Sequence, residues 1–189
     1  MAFDAFLVFA EPGTSAYKIK GETLDEGFPN GIEISEFSFG AENTINISSA
    51  TTGAGAGKAT FKEFTVKKMV DNGSPKLLVT LGAGGHYKIV QLFLRKSGAK
   101  KGSTGGAYLV FAFGMVAVKS LEWSGSSGDD VPTETVIFEY GELYVGYKPQ
   151  KEDGSLGKLE SGGWSKIKNS TTTSLIQELH VASGRPVAQ

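Results

Sequence analysis

The chain has no cysteine, which excludes disulfide staples and thiolate chemistry and says nothing of compartment. It has only two histidines in 189 residues, His86 and His180. Neither has the company that a zinc site or a catalytic triad needs. No apolar run is long enough to span a membrane. Met1–Ala10 contains Asp4 and lacks a basic leader, so no signal peptide is expected. Neither sign of charge dominates: 19 basic and 20 acidic residues give a net charge of −1, which argues against a dedicated nucleic-acid binder. Proline numbers six, and segments with helical period are scarce. What is abundant is glycine, 26 residues, about twice the usual share. That composition predicts a mainly β chain with many turns. The length suits one domain able to bury roughly 70% of its unfolded surface.

The clearest helix is short. Ser74 is the expected N-cap and Pro75 fits the first helical turn. Leu77, Leu78 and Leu81 form a brief apolar stripe, and Gly82, Gly84 and Gly85 supply stop residues. A helix of about two turns, Ser74–Gly82, must be held by packing on something else. Strands are expected on both sides of it.

Ala2–Phe9, Ile32–Asn43, Ala59–Val70, Tyr87–Arg95, Ala107–Trp123 and Thr133–Lys148 read as strands, with an interruption at Gly114 and a kink at Gly141. Two of them shift parity. Ile32 and Ile34 are even but Phe37 and Phe39 odd; Phe61 is odd but Phe64 and Val66 even. A bulge near Ser35–Glu36 and a bulge or bend near Lys62–Glu63 would restore one face, and both favour a curling, closing sheet. Tyr87–Leu94, Tyr108–Val118 and Val136–Tyr147 are apolar on both faces. A small barrel fills its inside with one face, so the other is expected to meet another chain. Thr44–Lys58 is polar, small and glycine-rich, an arm too long for a tight hairpin turn. Trp164–Ile167 suggests a last short strand, and Ser174–Ala182 a small helix.

Candidate chemistry is thin. Gly53–Lys58 resembles a phosphate loop but has Thr52 where the first glycine belongs and Ala59 after Lys58. Asp129–Asp130 and Glu152–Asp153–Gly154 lack calcium-loop spacing. Lys96, Lys100 and Lys101 form a small basic cluster without aromatics, and a solvated turn is the plain reading. Trp123 and Trp164 could stack sugars, though core or interface anchoring is commoner. The sequons at Asn46, Asn72 and Asn169 carry no meaning without an export signal. No catalytic residue, cofactor or metal site is expected.

Several stretches together are familiar: MAFDAFLVF at the start, KIKGET from Lys18, GIEISEFSFG from Gly31, GAGK from Gly55 running into KATFKEFTVKK, DNGSPKLL from Asp71, GGHY from Gly84, and GDDVPTETVIFEYGELYVGYKPQKEDG from Gly128. In this order and spacing the chain resembles the haemolysin-coregulated protein (Hcp) family, the tube subunit of bacterial type VI secretion. The resemblance runs over about 1–164. It implies a β-barrel formed by two antiparallel sheets, one flanking helix and the extended loop Thr44–Lys58, with 165–189 as a tail. It implies six-membered rings stacking into a hollow tube that is expelled by a contractile sheath behind a spike protein and can carry effector proteins in its lumen. Export would follow from the bacterial cytoplasm without a cleaved signal peptide, with neither nucleic acid nor membrane insertion involved. Contact between rings would fall to Thr44, Ile45, Asn46, Ile47, Ser48, Ser49, Thr51, Thr52 and Lys58. The alternatives are a monomeric glycan-binding β-sandwich using the two tryptophans, or a phage tail-tube protein.

Overall fold

A computed structural model describes residues 3–12, 16–46, 55–96, 106–152 and 155–172. The expected helix Ser174–Ala182 lies outside them. In chain order the elements are β1 (Phe3–Pro12), β2 (Ile32–Glu33), β3 (Glu36–Ser38), β4 (Ala41–Asn46), β5 (Gly55–Phe61), β6 (Phe64–Met69), α1 (Ser74–Ala83), β7 (His86–Lys96), β8 (Ala107–Ser124), β9 (Thr133–Tyr147), β10 (Glu160–Ser165) and β11 (Ser170–Thr171). The fold is mainly β and antiparallel, with one helix, as composition suggests. Nine strands form one sheet in the order β11-β10-β9-β8-β7-β1-β2, and β3 joins through β6 to β9. β4 and β5 make a separate two-stranded ribbon.

Ile32–Ser38 carries the sheet round towards closure. Its first residues pair with β1, Leu7 opposite Ile32. The Ile34 N–H still donates to Ala5 O at 2.9 Å, but the Ser35 N–H donates to Lys67 O at 2.9 Å. Glu36–Ser38 then pairs with β6. The circuit β1–β7–β8–β9–β6–β3 thus returns to β1 through one bent segment. The parity shift expected as a bulge near Ser35–Glu36 is this change of partner. The second shift falls where expected: β5 ends at Phe61, β6 starts at Phe64, and the Lys62 N–H turns to Gly40 O at 2.8 Å.

A third shift crosses three strands in line. Tyr87, Val116 and Tyr140 face the core in one row, and Val90, Phe113 and Leu143 in the next. Each pair is three residues apart, so two successive residues per strand sit between the rows. On β8 these are Gly114 and Met115, and Met115 has φ of +52°, which a non-glycine residue seldom adopts. On β9 they are Gly141 and Glu142. β8 stays continuous through Gly114, where the sequence suggested a break, and β9 runs as one strand through Gly141.

The core is aromatic. Phe64 stacks on Phe113 with centroids 4.1 Å apart, and Phe39 meets Phe113 edge-on at 5.2 Å. The helix buries Leu77 and Thr80, and Thr80 Oγ1 lies 3.1 Å from Tyr87 Oη. Gly84, at φ +64°, ends it by donating to Leu81 O. Its N-cap is Gly73, which makes no side-chain cap bond, and not Ser74 as expected. The Ser74 hydroxyl is engaged elsewhere, as described below.

Tyr140 lies in this core with its hydroxyl donating to Lys62 O at 2.9 Å. Burial, and next the Glu139 carboxylate, push its pKa up to about 12. Its unfolded counterpart ionises near pH 10. The folded state therefore keeps a proton that the unfolded state loses, and this contribution to stability declines as pH rises from 10 towards 12. Alkaline denaturation of Tyr140→Phe should show a shallower decline over that interval than the parent chain.

Candidate functional site

The arm expected at Thr44–Lys58 is built on a ribbon. Ala41 pairs with Phe61, Glu42 with Thr60, Asn43 with Ala59, Ile45 with Ala56 and Asn46 with Gly55. Of the proposed contact residues, Thr44, Ile45 and Asn46 therefore lie on β4 and Lys58 on β5. Ile47, Ser48, Ser49, Thr51 and Thr52 fall outside the described residues. The base of the arm is thus paired strand, not loop. Sequence concealed this because Gly55, Ala56 and Gly57 have small side chains of low strand preference, while the ladder uses only their backbone.

At the helix start four elements meet in a buried ionic cluster. Lys68 on β6 stands opposite Glu134 on β9, both facing inward. Their side chains are 1% and 0% exposed, and Lys68 Nζ lies 2.8 Å from Glu134 Oε2. The same ammonium reaches Asp71 Oδ1 at 2.9 Å, Ser74 Oγ at 3.1 Å and Met69 O at 2.9 Å. Ser74 Oγ donates to Glu134 Oε2, and Trp123 Nε1 donates to Glu134 Oε1 at 2.8 Å. Asp71 Oδ1 also takes the Gly73 N–H, and Glu22 Oε1 the Asn72 N–H. This cluster ties β6, β8, β9 and the turn before α1 together. A signal for it was present: Lys68 shares parity with Phe64 and Val66, and Glu134 with Val136 and Phe138. Two opposite charges at inward positions call for a partner.

A second clasp covers the barrel's outer side. Arg95 on β7 pairs with Asp25 at 2.6 Å and Asp4 at 3.1 Å. Its guanidinium lies over the rings of Phe6 and Phe28, which stack on each other at 4.4 Å. The hydrogen bond to Asp25 raises the Arg95 pKa further, so it stays charged. Through this clasp the polar segment 21–31 lays Phe28 over Phe6 and Phe93. Part of the second apolar face of β7 is therefore covered within the chain rather than left for a neighbour.

Other apolar side chains are open. Met115 and Ile167 meet over Gly141, where an added Cβ would sit 2.6 Å from Ile167 Cδ1 and 3.4 Å from Met115 Cβ. Both are more than half exposed, as is Met69, and Phe3, Trp123 and Tyr147 are close to that.

The remaining candidates disperse. His86 opens β7, half-buried. Lys96 bonds Gln150 Oε1 at 2.9 Å and lies over Tyr108, while Lys100 and Lys101 fall outside the described residues. Asp129 accepts the Ser126 N–H across its turn. Trp123 stands opposite Glu134 and Trp164 opposite Leu143, nine residues apart along β9, or roughly 30 Å of strand. They do not form one sugar platform. Among the described residues no group of three potential ligands could hold a metal ion.

The family model described as type VI secretion system effector, Hcp, matches residues 7–147. The chain belongs to the Hcp family. Protein hcp1 of Pseudomonas aeruginosa is 32% identical over 113 residues, covering 59% of this chain and 68% of that protein. A solved type six secretion system protein superposes with TM-score 0.76 at 31% identity, over 90% of this chain and all of that one. Hcp1 from Salmonella typhimurium shares the fold with TM-score 0.70 at 22% identity, over 91% of this chain and all of its own. The stretches that carry the resemblance are scattered in sequence but meet in space. KEFTVKK supplies Lys68, DNGSP supplies Asp71 and Ser74, the TE pair supplies Glu134, and KIKGET supplies Glu22. Together these side chains form the ionic cluster at the start of the helix.

Proposed function

We propose that this Hcp-family chain is a structural tube subunit of a type VI secretion system. Six copies close into a ring, rings stack into a hollow tube, and the tube is expelled with effector proteins in its lumen. Its partners are further copies of itself, the spike protein, the contractile sheath and those effectors. It works as a scaffold, not a catalyst, and leaves the bacterial cytoplasm without a cleaved signal peptide. None of its helices, among the described residues, is long and apolar enough to cross a membrane.

The observation that carries this reading is the ribbon β4–β5, which shares no strand pairing with the barrel sheet. A two-stranded ribbon is marginal alone and presents open edges on both sides. It suits a contact reaching to another ring, as residues 44–58 do in the family resemblance. The exposed pair Met115–Ile167 adds side chains worth roughly 1.5–3 kcal/mol each when buried, which favours lateral association. Negative-stain images of the purified full chain are expected to show rings with a central hole and, at high concentration, rods of stacked rings. Featureless single particles the size of one 20.0 kDa chain would overturn the proposal.

A further inference from the structure

Among the described residues, Leu24 and Ile167 are the most exposed large apolar residues, at 97% and 62%. Both are held in place by what surrounds them. The neighbours of Leu24 on either side are tied down: the Thr23 hydroxyl donates to Glu33 Oε1 at 3.0 Å and accepts the Asp25 N–H at 3.2 Å, while Asp25 holds Arg95. The Gly21 N–H closes the base of this strap on Asn30 O at 2.8 Å, and Phe28 fixes its far end on Phe6. Ile167 stands in the turn 166–169 between β10 and β11. There the Lys166 N–H donates to Gly141 O at 2.8 Å and the Lys168 N–H to Ser165 Oγ at 3.2 Å. Beside Ile167, Met115 is held outward at φ +52°, and backbone strain of this kind collects at functional sites. Side chains fixed in advance lose little freedom on contact.

The two patches differ in charge. Residues 21–31 carry Glu22, Asp25 and Glu26 and no basic residue, while 166–169 carries Lys166 and Lys168 and no acidic one. Arg95 takes up Asp25, and Glu139 takes up Lys166. That leaves exposed Glu22 and Glu26 about Leu24, and exposed Lys168 beside Ile167. Opposite charge around two apolar centres steers them together and fixes their register. The patches also lie far apart on one chain. The strap is bound to β1, β2 and β7, and Ile167 lies over Gly141 of β9. In the circuit β1–β7–β8–β9–β6–β3, β9 is on the opposite side of the barrel from β1. Two unlike, complementary patches on opposite sides of a chain make a head-to-tail contact, and such contacts generate a ring when the rotation closes.

We propose that Leu24 of one copy docks against Ile167 and Met115 of the next, with Glu22 and Glu26 meeting Lys168. The inference rests on the ring reading above and supplies its lateral contact. The strap is then the projecting half of the joint, braced by Arg95, and the β10–β11 turn is the receiving half.

The absence of native cysteine allows a direct test in the full chain. With Leu24→Cys and Ile167→Cys together, a short bis-maleimide should link copies into a ladder that ends at six chains. Either substitution alone should leave nearly all protein at the mass of one chain, because like patches do not meet. Glu26→Cys with Lys168→Cys repeats the test with Leu24 and Ile167 intact. Linking is done at a concentration where sedimentation of the parent chain shows single rings. Rings without a ladder in both double variants would overturn this contact and leave the tube-subunit reading standing. A ladder running past six would also overturn it, by placing the contact between rings. Single chains in sedimentation of the parent would overturn the tube reading, and this contact with it.

Discussion

Glu134→Ala should destabilise the barrel by about 3–5 kcal/mol, the usual cost of removing one partner from a buried ion pair. The substitution leaves Lys68, 1% exposed, with Asp71 as its one counter-charge among the described residues, and frees Trp123 Nε1 and the Ser74 hydroxyl. Lys68→Ala should do comparable harm from the other side, leaving Glu134 wholly buried and uncompensated. The combination Lys68→Met, Asp71→Asn and Glu134→Gln removes all three charges and keeps acceptors for Trp123 and for the Gly73 N–H. It should recover at least half of either single loss, because the cost lies in the unpaired charge rather than in the missing attraction. Denaturant midpoints at one fixed protein concentration measure all three, since assembly would otherwise shift them. If Glu134→Ala shifts the midpoint no more than a surface substitution, the cluster does not anchor the helix.

Replacing residues 47–54 with a tight two-residue turn should leave rings intact and abolish their stacking. The ladder from Ala41 to Asn46 and from Gly55 to Phe61 keeps its own pairing, and none of its strands joins the barrel sheet. The barrel core therefore has no stake in the arm's tip. Stacking would lose the whole contact that reaches across, so rods should disappear from micrographs at concentrations where the parent forms them. Loss of rings together with rods would show that the arm belongs to lateral contacts instead.

Much of this architecture was legible in the sequence, for local reasons. Pro75 and Gly84 bound the helix because each does one conformational job wherever it stands. The parity breaks at residues 34–37 and 61–64 announced bends because inward positions must stay apolar. What sequence could not supply was which strands become neighbours. Ser74 looked like a cap, yet its hydroxyl serves Glu134, sixty residues away. Lys68 and Glu134 carried the signal of an inward charge, but it becomes a pair only once β6 lies against β9. The apolar outer positions of β7 suggested a neighbouring chain, while Phe28, in a polar stretch, already covers Phe93. The candidate site followed the same rule: the arm's position was readable from its glycines, and its paired base was not, because backbone hydrogen bonds leave no mark on side-chain pattern.

Sedimentation velocity of the full chain, from dilute to concentrated, tests the central claim most directly. Open apolar side chains such as Met115 and Ile167 should hold copies together as a closed ring. The expected result is one sharp boundary at six times the 20.0 kDa chain mass, persisting on dilution, with larger species at high concentration. A boundary at the mass of a single chain throughout would contradict it.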